Sequence, residues 1–119
     1  MDVRAPERRI YERYVIWFPV TLRAGEDEIG TICRDASSGG LMVSSPIELK
    51  PKTPVVCAFR LTIESHVDVS SAGVVVRAER NDGDMVLAFP YRLAIGFDPA
   101  RPDIEEMLRH AEKAFRESR

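Results

Sequence analysis

The sequence predicts a mainly β fold, an antiparallel barrel or sandwich that ends in a single helix. Three observations lead to this prediction. Apolar and polar residues alternate in several short runs, turn-forming residues separate the runs at hairpin spacing, and a helical pattern occurs only near the end of the chain. Short strands at hairpin spacing without helices between them are typical of antiparallel barrels and sandwiches.

The first two strands are predicted on either side of a hairpin turn. Residues 14–22 form an aromatic and β-branched run, in which Trp17 and Phe18 are expected to pack in the core. Pro19 has no backbone N–H to donate, so we expect this strand to lie at an edge or to carry a bulge there. Residues 23–27 are predicted to form the turn and residues 28–36 the second strand.

The middle of the chain is predicted to contain three further strands. A polar turn over residues 34–41 leads into a strand at 40–44, which a proline-containing loop follows. Residues 54–64 alternate between apolar and polar side chains, the pattern of a half-buried strand. Residues 66–79 are predicted to form a long strand or a bulged pair that bends at Gly73.

A second hairpin and a helix complete the chain. Residues 81–84 contain Asp-Gly, which supplies the positive φ that a tight hairpin needs, and Met85, Leu87 and Phe89 alternate after it. Residues 92–98 are predicted to form the closing strand.

The helix is predicted over residues 103–116, because apolar residues recur there at steps of three and four. Asp103 and Glu106 have the spacing of a capping box. We expect the apolar face of the helix to cap an open end of the barrel, to pack on its outside or to meet another subunit, so a homodimer is one alternative.

Composition indicates one globular domain. The chain has 119 residues, of which 45% are hydrophobic and 30% charged. Residues 1–13 carry little apolar surface, so we expect a flexible arginine-containing segment before a barrel and helix at 14–119. Seventeen basic and nineteen acidic residues give a net charge of −2, which argues against broad binding to DNA or RNA.

The cysteines, the histidines and the apolar runs indicate which kinds of site and which cellular location to expect. Cys33 and Cys57 lie in strand-like runs and are expected to be reduced core thiols. His66 and His110 are isolated, so we expect no metal and no cofactor. No apolar run resembles a signal peptide or a membrane helix, so we expect a cytoplasmic protein without membrane insertion.

Two short motifs carry the functional prediction. Arg9 and Arg13 stand four residues apart before the first strand, with Arg8 beside them. Alone, such arginines more often form a solvated face. Asp35, Ser37 and Gly40 lie in the turn at 34–41, where polar side chains bind local backbone and glycine tolerates positive φ, so a turn alone would explain them.

Together, the motifs Arg-x-x-x-Arg and Asp-x-Ser-x-x-Gly resemble the PilZ domain family, in its stand-alone, single-domain type. The resemblance covers residues 7–98. It includes Gly73-Val74-Val75-Val76-Arg77 and the closing stretch Leu93-Ala94-Ile95-Gly96-Phe97. It implies a six-stranded antiparallel β-barrel with a C-terminal α-helix, and a protein that binds the bacterial second messenger cyclic di-GMP.

The resemblance also implies roles for particular residues. The arginine fork can hold a phosphate or the Hoogsteen edge of guanine in a two-pronged hydrogen bond. The implied ligand-binding residues are Arg8, Arg9, Arg13, Asp35, Ser37, Gly40 and Arg77. Asp35 and Ser37 would accept from guanine or hold the arginines, and Gly40 would allow close approach. Tyr11 either stacks on a base or is simply exposed.

The function expected from the resemblance is a non-catalytic cyclic di-GMP receptor. Its N-terminal segment would wrap around the ligand and relay the signal to a separate, unidentified partner protein. One alternative is a PilZ-like interaction module that binds no nucleotide. Another is a single-strand nucleic-acid binder with Trp17 and Phe18 as a stacking platform. An enzyme is disfavoured, because Asp35 and Ser37 have no His near them in sequence.

Overall fold

The computed structural model describes residues 11–61, 67–81 and 88–117. In these ranges six antiparallel strands close into a barrel in the order β1-β2-β3-β6-β5-β4. The strands are β1 (Phe18–Ala24), β2 (Asp27–Ser37), β3 (Gly40–Ser45), β4 (Pro54–Leu61), β5 (Val67–Arg80) and β6 (Tyr91–Phe97). A 3-10 turn (Pro102–Ile104) leads into helix α1 (Glu105–Glu117). The predicted fold class is confirmed, and the choice between barrel and sandwich is resolved.

The apolar and polar residues that alternate in sequence face the inside and the outside of the barrel in turn. In β4, every second residue from Val55 to Leu61 is buried and the residues between them are exposed. Cys33 and Cys57 are buried free thiols, as expected. Burial raises the pKa of both thiols, that of Cys57 to about 12, so neither is ionised at neutral pH.

Helix α1 shares the hydrophobic core of the barrel. Ile104, Leu108 and Ala111 are buried in the same cluster as the interior strand residues. The Tyr14 hydroxyl donates to Glu105 at 3.0 Å, and the Val15 backbone N–H donates to Glu112 at 2.7 Å. The segment before β1 is therefore bonded to the helix at two points. Across the described ranges, no helix combines the length and apolar character that a membrane crossing needs.

The first strand differs from the sequence prediction. It begins at Phe18 rather than at residue 14, and Tyr14 makes an isolated backbone bridge to Ala36. The expectation that β1 is an edge strand or carries a bulge is wrong, because the barrel is closed, although Pro19 itself is paired on one side only. Pro19 pairs with Ile32 on one side, and the register with β4 begins only at Val20, so no ladder hydrogen bond to β4 is lost there.

Three local expectations are also corrected. Asp103 does not cap the helix, because it lies inside the 3-10 turn and its carboxylate accepts from Arg101 at 2.8 and 2.9 Å. The irregularity in β5 falls between Val75 and Arg77 rather than at Gly73. Trp17 is not in the core, since 48% of it is exposed, whereas Phe18 is buried.

The remaining predicted elements lie partly outside the described residues. These are the end of the strand predicted at 54–64, the start of the strand predicted at 66–79, and the hairpin with Met85 and Leu87. Phe89 is described and lies outside the named strands.

Candidate functional site

A cleft of about 570 Å³ opens on the outer face of strands β2, β3, β6 and β5. Five of the residues implied as ligand-binding line it, namely Arg13, Asp35, Ser37, Gly40 and Arg77. The other lining residues are Tyr11, Gly39, Leu41, Met42, Val76, Ala94, Ile95 and Gly96. Arg8 and Arg9 lie outside the described residues. The structure therefore brings together parts of the chain that are far apart in sequence.

Two β-bulges shape the cleft. In β2 the register with β3 shifts between Cys33 and Asp35, and in β5 the register with β6 shifts between Val75 and Arg77. The extra residue in each case, Arg34 or Val76, joins the following residue on the outer face. A bulge re-aims side chains in this way and is common beside functional sites. Asp35 and Arg77 consequently face the cleft from opposite sides.

Gly40 is required by the barrel itself. It is the Cα partner of Gly96 across the β3–β6 ladder. A Cβ at position 40 would collide with the carbonyl oxygen of Ile95. The close approach that the sequence analysis assigned to a ligand is thus already made by a neighbouring strand.

Tyr11 and Gly39 form a second close contact at the cleft. A Cβ on Gly39 would collide with the Tyr11 ring, so the ring lies directly over this glycine. Tyr11 is 38% exposed and lines the cleft. The ring therefore lies at the cleft, and the choice between stacking on a base and simple exposure stays a prediction.

The turn between β2 and β3 is held by one side-chain hydroxyl and by two backbone bonds from later parts of the chain. The Ser37 hydroxyl accepts from the Gly39 N–H at 3.0 Å, as a turn-stabilising serine does. The carbonyl of Ser38 accepts from the Arg101 N–H at 2.7 Å, and that of Gly39 from the Phe97 N–H at 2.9 Å. These bonds tie the turn to the end of β6 and to the segment after it, so one side of the cleft is rigid.

Asp35 is the carboxylate at the centre of the arginines. It accepts from Arg13 Nη1 at a long 3.4 Å. Burial raises the pKa of Asp35 above its ordinary value, and the positive charges of Arg13, Arg34 and Arg92 oppose that rise. Desolvation therefore outweighs the attraction of the three arginines, and further donors to Asp35 would stabilise its charged form.

Arg77 approaches the cleft from β5. Its Nε lies 3.9 Å from Glu79 Oε1, and Arg92 Nη2 lies 3.1 Å from the same oxygen. Its side chain is half exposed. An exposed pair at this separation is weak, so reorienting the Arg77 side chain costs little free energy.

Chemically, the cleft suits a flat, anionic ligand that offers hydrogen-bonding edges. Guanidinium groups lie at both sides, and the apolar floor includes Met42, Val76 and Ala94. The floor was missed in the sequence analysis, because it depends on β3 pairing with β6 and β6 with β5. No group of His, Cys, Asp or Glu that could hold a metal ion occurs in the described part of the chain.

Comparisons with known proteins agree with this architecture. The family model for the PilZ domain matches residues 7–112. The structure of the Bacillus subtilis inhibitor of motility, MotI/DgrA, superposes with a TM-score of 0.71 at 19% identity over 94% of this chain. This chain spans only 53% of that protein.

A second solved structure is similar over most of its length. The PilZ domain of YcgR from Escherichia coli, determined with c-di-GMP, gives a TM-score of 0.65 at 16% identity and 93% coverage of both chains. At these identities the likeness establishes the fold. No curated protein matches the chain by sequence.

Proposed function

This chain belongs to the PilZ domain family, whose ligand is cyclic di-GMP, and we propose that it is a non-catalytic receptor for this dinucleotide. The observation that carries the proposal is the convergence of Arg13, Asp35 and Ser37 with Arg77 at one cleft. The cleft volume lies within the range of small-molecule sites. The YcgR domain, which has the same fold, was determined with c-di-GMP.

The proposed contacts follow the chemistry of the residues. Arg9 and Arg13 clamp a guanine edge or a phosphate, and Arg8 adds a third guanidinium. Asp35 and the Ser37 hydroxyl accept from the guanine or hold the arginines, and the 3.4 Å contact between Arg13 and Asp35 supports the second role. Gly40 contributes indirectly, because its missing side chain lets β3 and β6 approach closely and form the continuous floor on which the ligand would lie.

Arg77 completes the proposed set from the opposite side. Its place on β5 beside Val76 allows the guanidinium to reach a ligand that lies on the floor. The aromatic ring of Tyr11 offers a stacking surface for a base. Together these groups would bind the edge, the face and the charge of a guanine nucleotide.

We further propose that the arm at residues 5–13 wraps around the ligand and that helix α1 receives the change. Arg13, at the cleft, is followed directly by Tyr14 and Val15, which bond to Glu105 and Glu112 of the helix. A ligand that repositions Arg13 would therefore pull on two contacts to α1. A separate partner protein would then read the helix, and the likeness to an inhibitor of motility supports a protein partner.

Calorimetric titration with cyclic di-GMP tests the receptor function. We expect saturable binding at micromolar ligand, and loss of at least about tenfold in affinity for Arg9→Ala and for Arg13→Ala. Arg23→Ala, in the exposed Arg23–Glu28 pair on the far hairpin, is the matched control and should bind as wild type. Absence of heat would contradict the receptor function, and intact binding in both arginine variants would contradict the site.

Amide hydrogen exchange tests the relay separately. The Val15 N–H is bonded to Glu112, so we expect cyclic di-GMP to change its exchange rate together with the rates of α1. Unchanged rates in Val15 and α1 at saturating ligand would contradict the relay and leave the receptor function intact.

A further inference from the structure

Two arginines beside the cleft have unsatisfied hydrogen-bond donors. In the described part of the chain, the buried side-chain nitrogen and oxygen atoms without a partner are Nε of Arg34 and Nε of Arg92. Buried donors without partners are unfavourable and rare in folded proteins. Neither residue belongs to the motifs that carry the family resemblance. Their arrangement therefore needs a separate explanation.

Arg34 is held by weak contacts on the outer face. Its guanidinium carbon lies 4.5 Å from the centroid of the Trp17 ring. Its Nη1 lies 3.4 Å from the Ser44 hydroxyl, the outer limit of a hydrogen bond. The carboxylate of Asp35 attracts Arg34 electrostatically, but the two side chains do not form a hydrogen bond with each other. The side chain is positioned next to the cleft but poorly satisfied there.

Arg92 lies beside Ser44 on the neighbouring strand β6. It is the Cα partner of Ser44 across the β3–β6 ladder. The Ser44 hydroxyl also accepts from Asn81 Nδ2 at 3.1 Å, so two N–H donors, those of Arg34 and Asn81, share one hydroxyl. The acceptor on the other side is Glu79, which Arg92 shares with Arg77. Donors therefore outnumber acceptors in this region.

The charge of the region points to an anion. In its described part, four guanidinium groups surround two carboxylates, and the members are Arg13, Arg34, Arg77, Arg92, Asp35 and Glu79. This excess of positive charge occurs in a chain whose net charge is −2. Local positive charge concentrated on one face of an acidic protein attracts anionic ligands.

The distance to the cleft is short. Ser44 lies two residues after cleft-lining Met42 on β3, and its partner Arg92 lies two residues before cleft-lining Ala94 on β6, so both are on the same face as the cleft. Two residues along a strand span about 7 Å. The bulge in β2 turns Arg34 outward next to Asp35. A ligand on the cleft floor would thus come within reach of both guanidinium groups.

We propose that Arg34 and Arg92 form a second anion subsite that continues the cleft and binds a phosphate group of cyclic di-GMP. This inference rests on the proposed function. The phosphate belongs either to the molecule in the cleft or to a second molecule stacked on it. In both cases an oxygen acceptor satisfies donors that the protein itself leaves without partners. Because both Nε atoms are buried in the structure without ligand, each side chain turns outward to meet the phosphate, and Arg34 thereby moves away from the Trp17 ring.

Titration calorimetry of Arg34→Gln and Arg92→Gln with cyclic di-GMP, at two salt concentrations, tests the subsite. We expect each variant to bind at least about tenfold more weakly than wild type. The logarithm of affinity should also depend less steeply on salt, because a phosphate contact is lost. Arg23→Gln is the control and should keep wild-type affinity and salt dependence. A stoichiometry of two ligands in wild type that falls to one in the variants identifies the stacked molecule as the source.

Two further readouts separate this role from a structural one. Trp17 is the only tryptophan of the chain, so its fluorescence should change on ligand binding in wild type and not in Arg34→Gln. In NMR spectra, inorganic pyrophosphate should shift the Nε–Hε signals of Arg34 and Arg92, whether or not the protein binds cyclic di-GMP. The unfolding temperature of each variant confirms that it is folded.

The outcomes distinguish the two proposals. If wild type binds cyclic di-GMP and both glutamine variants match its affinity and salt dependence, the subsite is wrong and the receptor function stands. If wild type does not bind the dinucleotide, the receptor function is wrong, and the pyrophosphate signals decide the subsite. Unshifted signals of both arginines with pyrophosphate overturn it.

Discussion

The two faces of this barrel are built from strands that pair in different ways. On the β1–β4 side the registers run without interruption, and the shallow surface there includes Pro19, Thr21, Ala58 and Ser70. On the β2–β3–β6–β5 side two bulges interrupt the registers and frame a deeper cleft. Regular pairing buries a core, and the interruptions bring polar side chains together on the surface.

The arginines on the two faces also differ in how they pair with carboxylates. Arg23 and Arg60 each pair with one carboxylate at 2.7 Å in full solvent, and such pairs contribute little to stability. Arg13, Arg34 and Arg92 instead surround the half-buried Asp35. An arginine that is paired with one carboxylate contributes mainly to the solubility of the surface. Arginines that share a single carboxylate keep hydrogen-bond donors with which they can bind a ligand.

The largest expected difference between the two faces is the effect of a glycine-to-alanine substitution on the stability of the protein. Gly40→Ala should destabilise the protein by about 2 kcal/mol or more, because the new Cβ meets the Ile95 carbonyl and the strands must separate. Gly30→Ala, on the regular β1–β2 pairing, meets no atom within 4 Å and should be neutral or stabilise by about 0.5 kcal/mol.

Chemical denaturation of the two glycine variants measures these effects. A Gly40→Ala protein as stable as wild type would contradict the close β3–β6 approach at the cleft. Gly30→Ala controls for the general effect of adding a methyl group to a strand.

A smaller difference is expected between Arg77 and Arg60. Both are strand arginines with a carboxylate neighbour, but only Arg77 lines the cleft. Arg77→Ala should weaken cyclic di-GMP binding about fivefold, from the loss of one contact worth about 1 kcal/mol. Arg60→Ala should leave affinity unchanged. Equal affinities of the two variants, measured by calorimetry, would remove Arg77 from the site.

The smallest expected effect is the pH dependence that Asp35 confers. Because burial raises its pKa, the folded state holds the Asp35 proton more tightly than the unfolded state does. The resulting stability is complete below the ordinary aspartate pKa of 3.8 and is lost as pH rises through the higher folded value. Asp35→Asn should therefore gain stability relative to wild type as pH rises from acid to neutral.

Urea unfolding of wild type and Asp35→Asn across this range measures the effect. Arg13→Ala should steepen the pH dependence, since the Arg13 charge opposes the rise in the Asp35 pKa. A difference between wild type and Asp35→Asn that does not vary with pH would show that desolvation does not dominate at this carboxylate.

The strands and the turn motif could be predicted from the sequence because their signals are local. Alternation in β4 and the polar turn after β2 depend on neighbouring residues only. Strand order is not local, so the pairing of β3 with β6, which forms the cleft floor, could not be predicted from pattern. The exposure of Trp17 was missed for a related reason, because a dense apolar run does not reveal which of its members face outward.

The candidate site could be predicted where its residues belong to short motifs, and could not be predicted where a bulge decides the position of a side chain. Arg13, Asp35, Ser37, Gly40 and Arg77 were named from sequence, and the structure places all five at one cleft. Arg34 and Arg92 carried no sequence signal, since a bulge of one residue and a cross-strand neighbour decide where they lie. The reason for Gly40 also changed, from approach of a ligand to approach of a strand.

The most direct test of the central claim is a map of amide signals on the labelled protein during titration with cyclic di-GMP. We expect shifts at Ser37, Gly39, Gly40, Ala94 and Gly96, around the cleft. Thr21, Ala58 and Ser70, on the regular face, should not move. Shifts confined to the β1–β4 surface, or none at saturating ligand, would contradict the assignment of the bulged face as the ligand site.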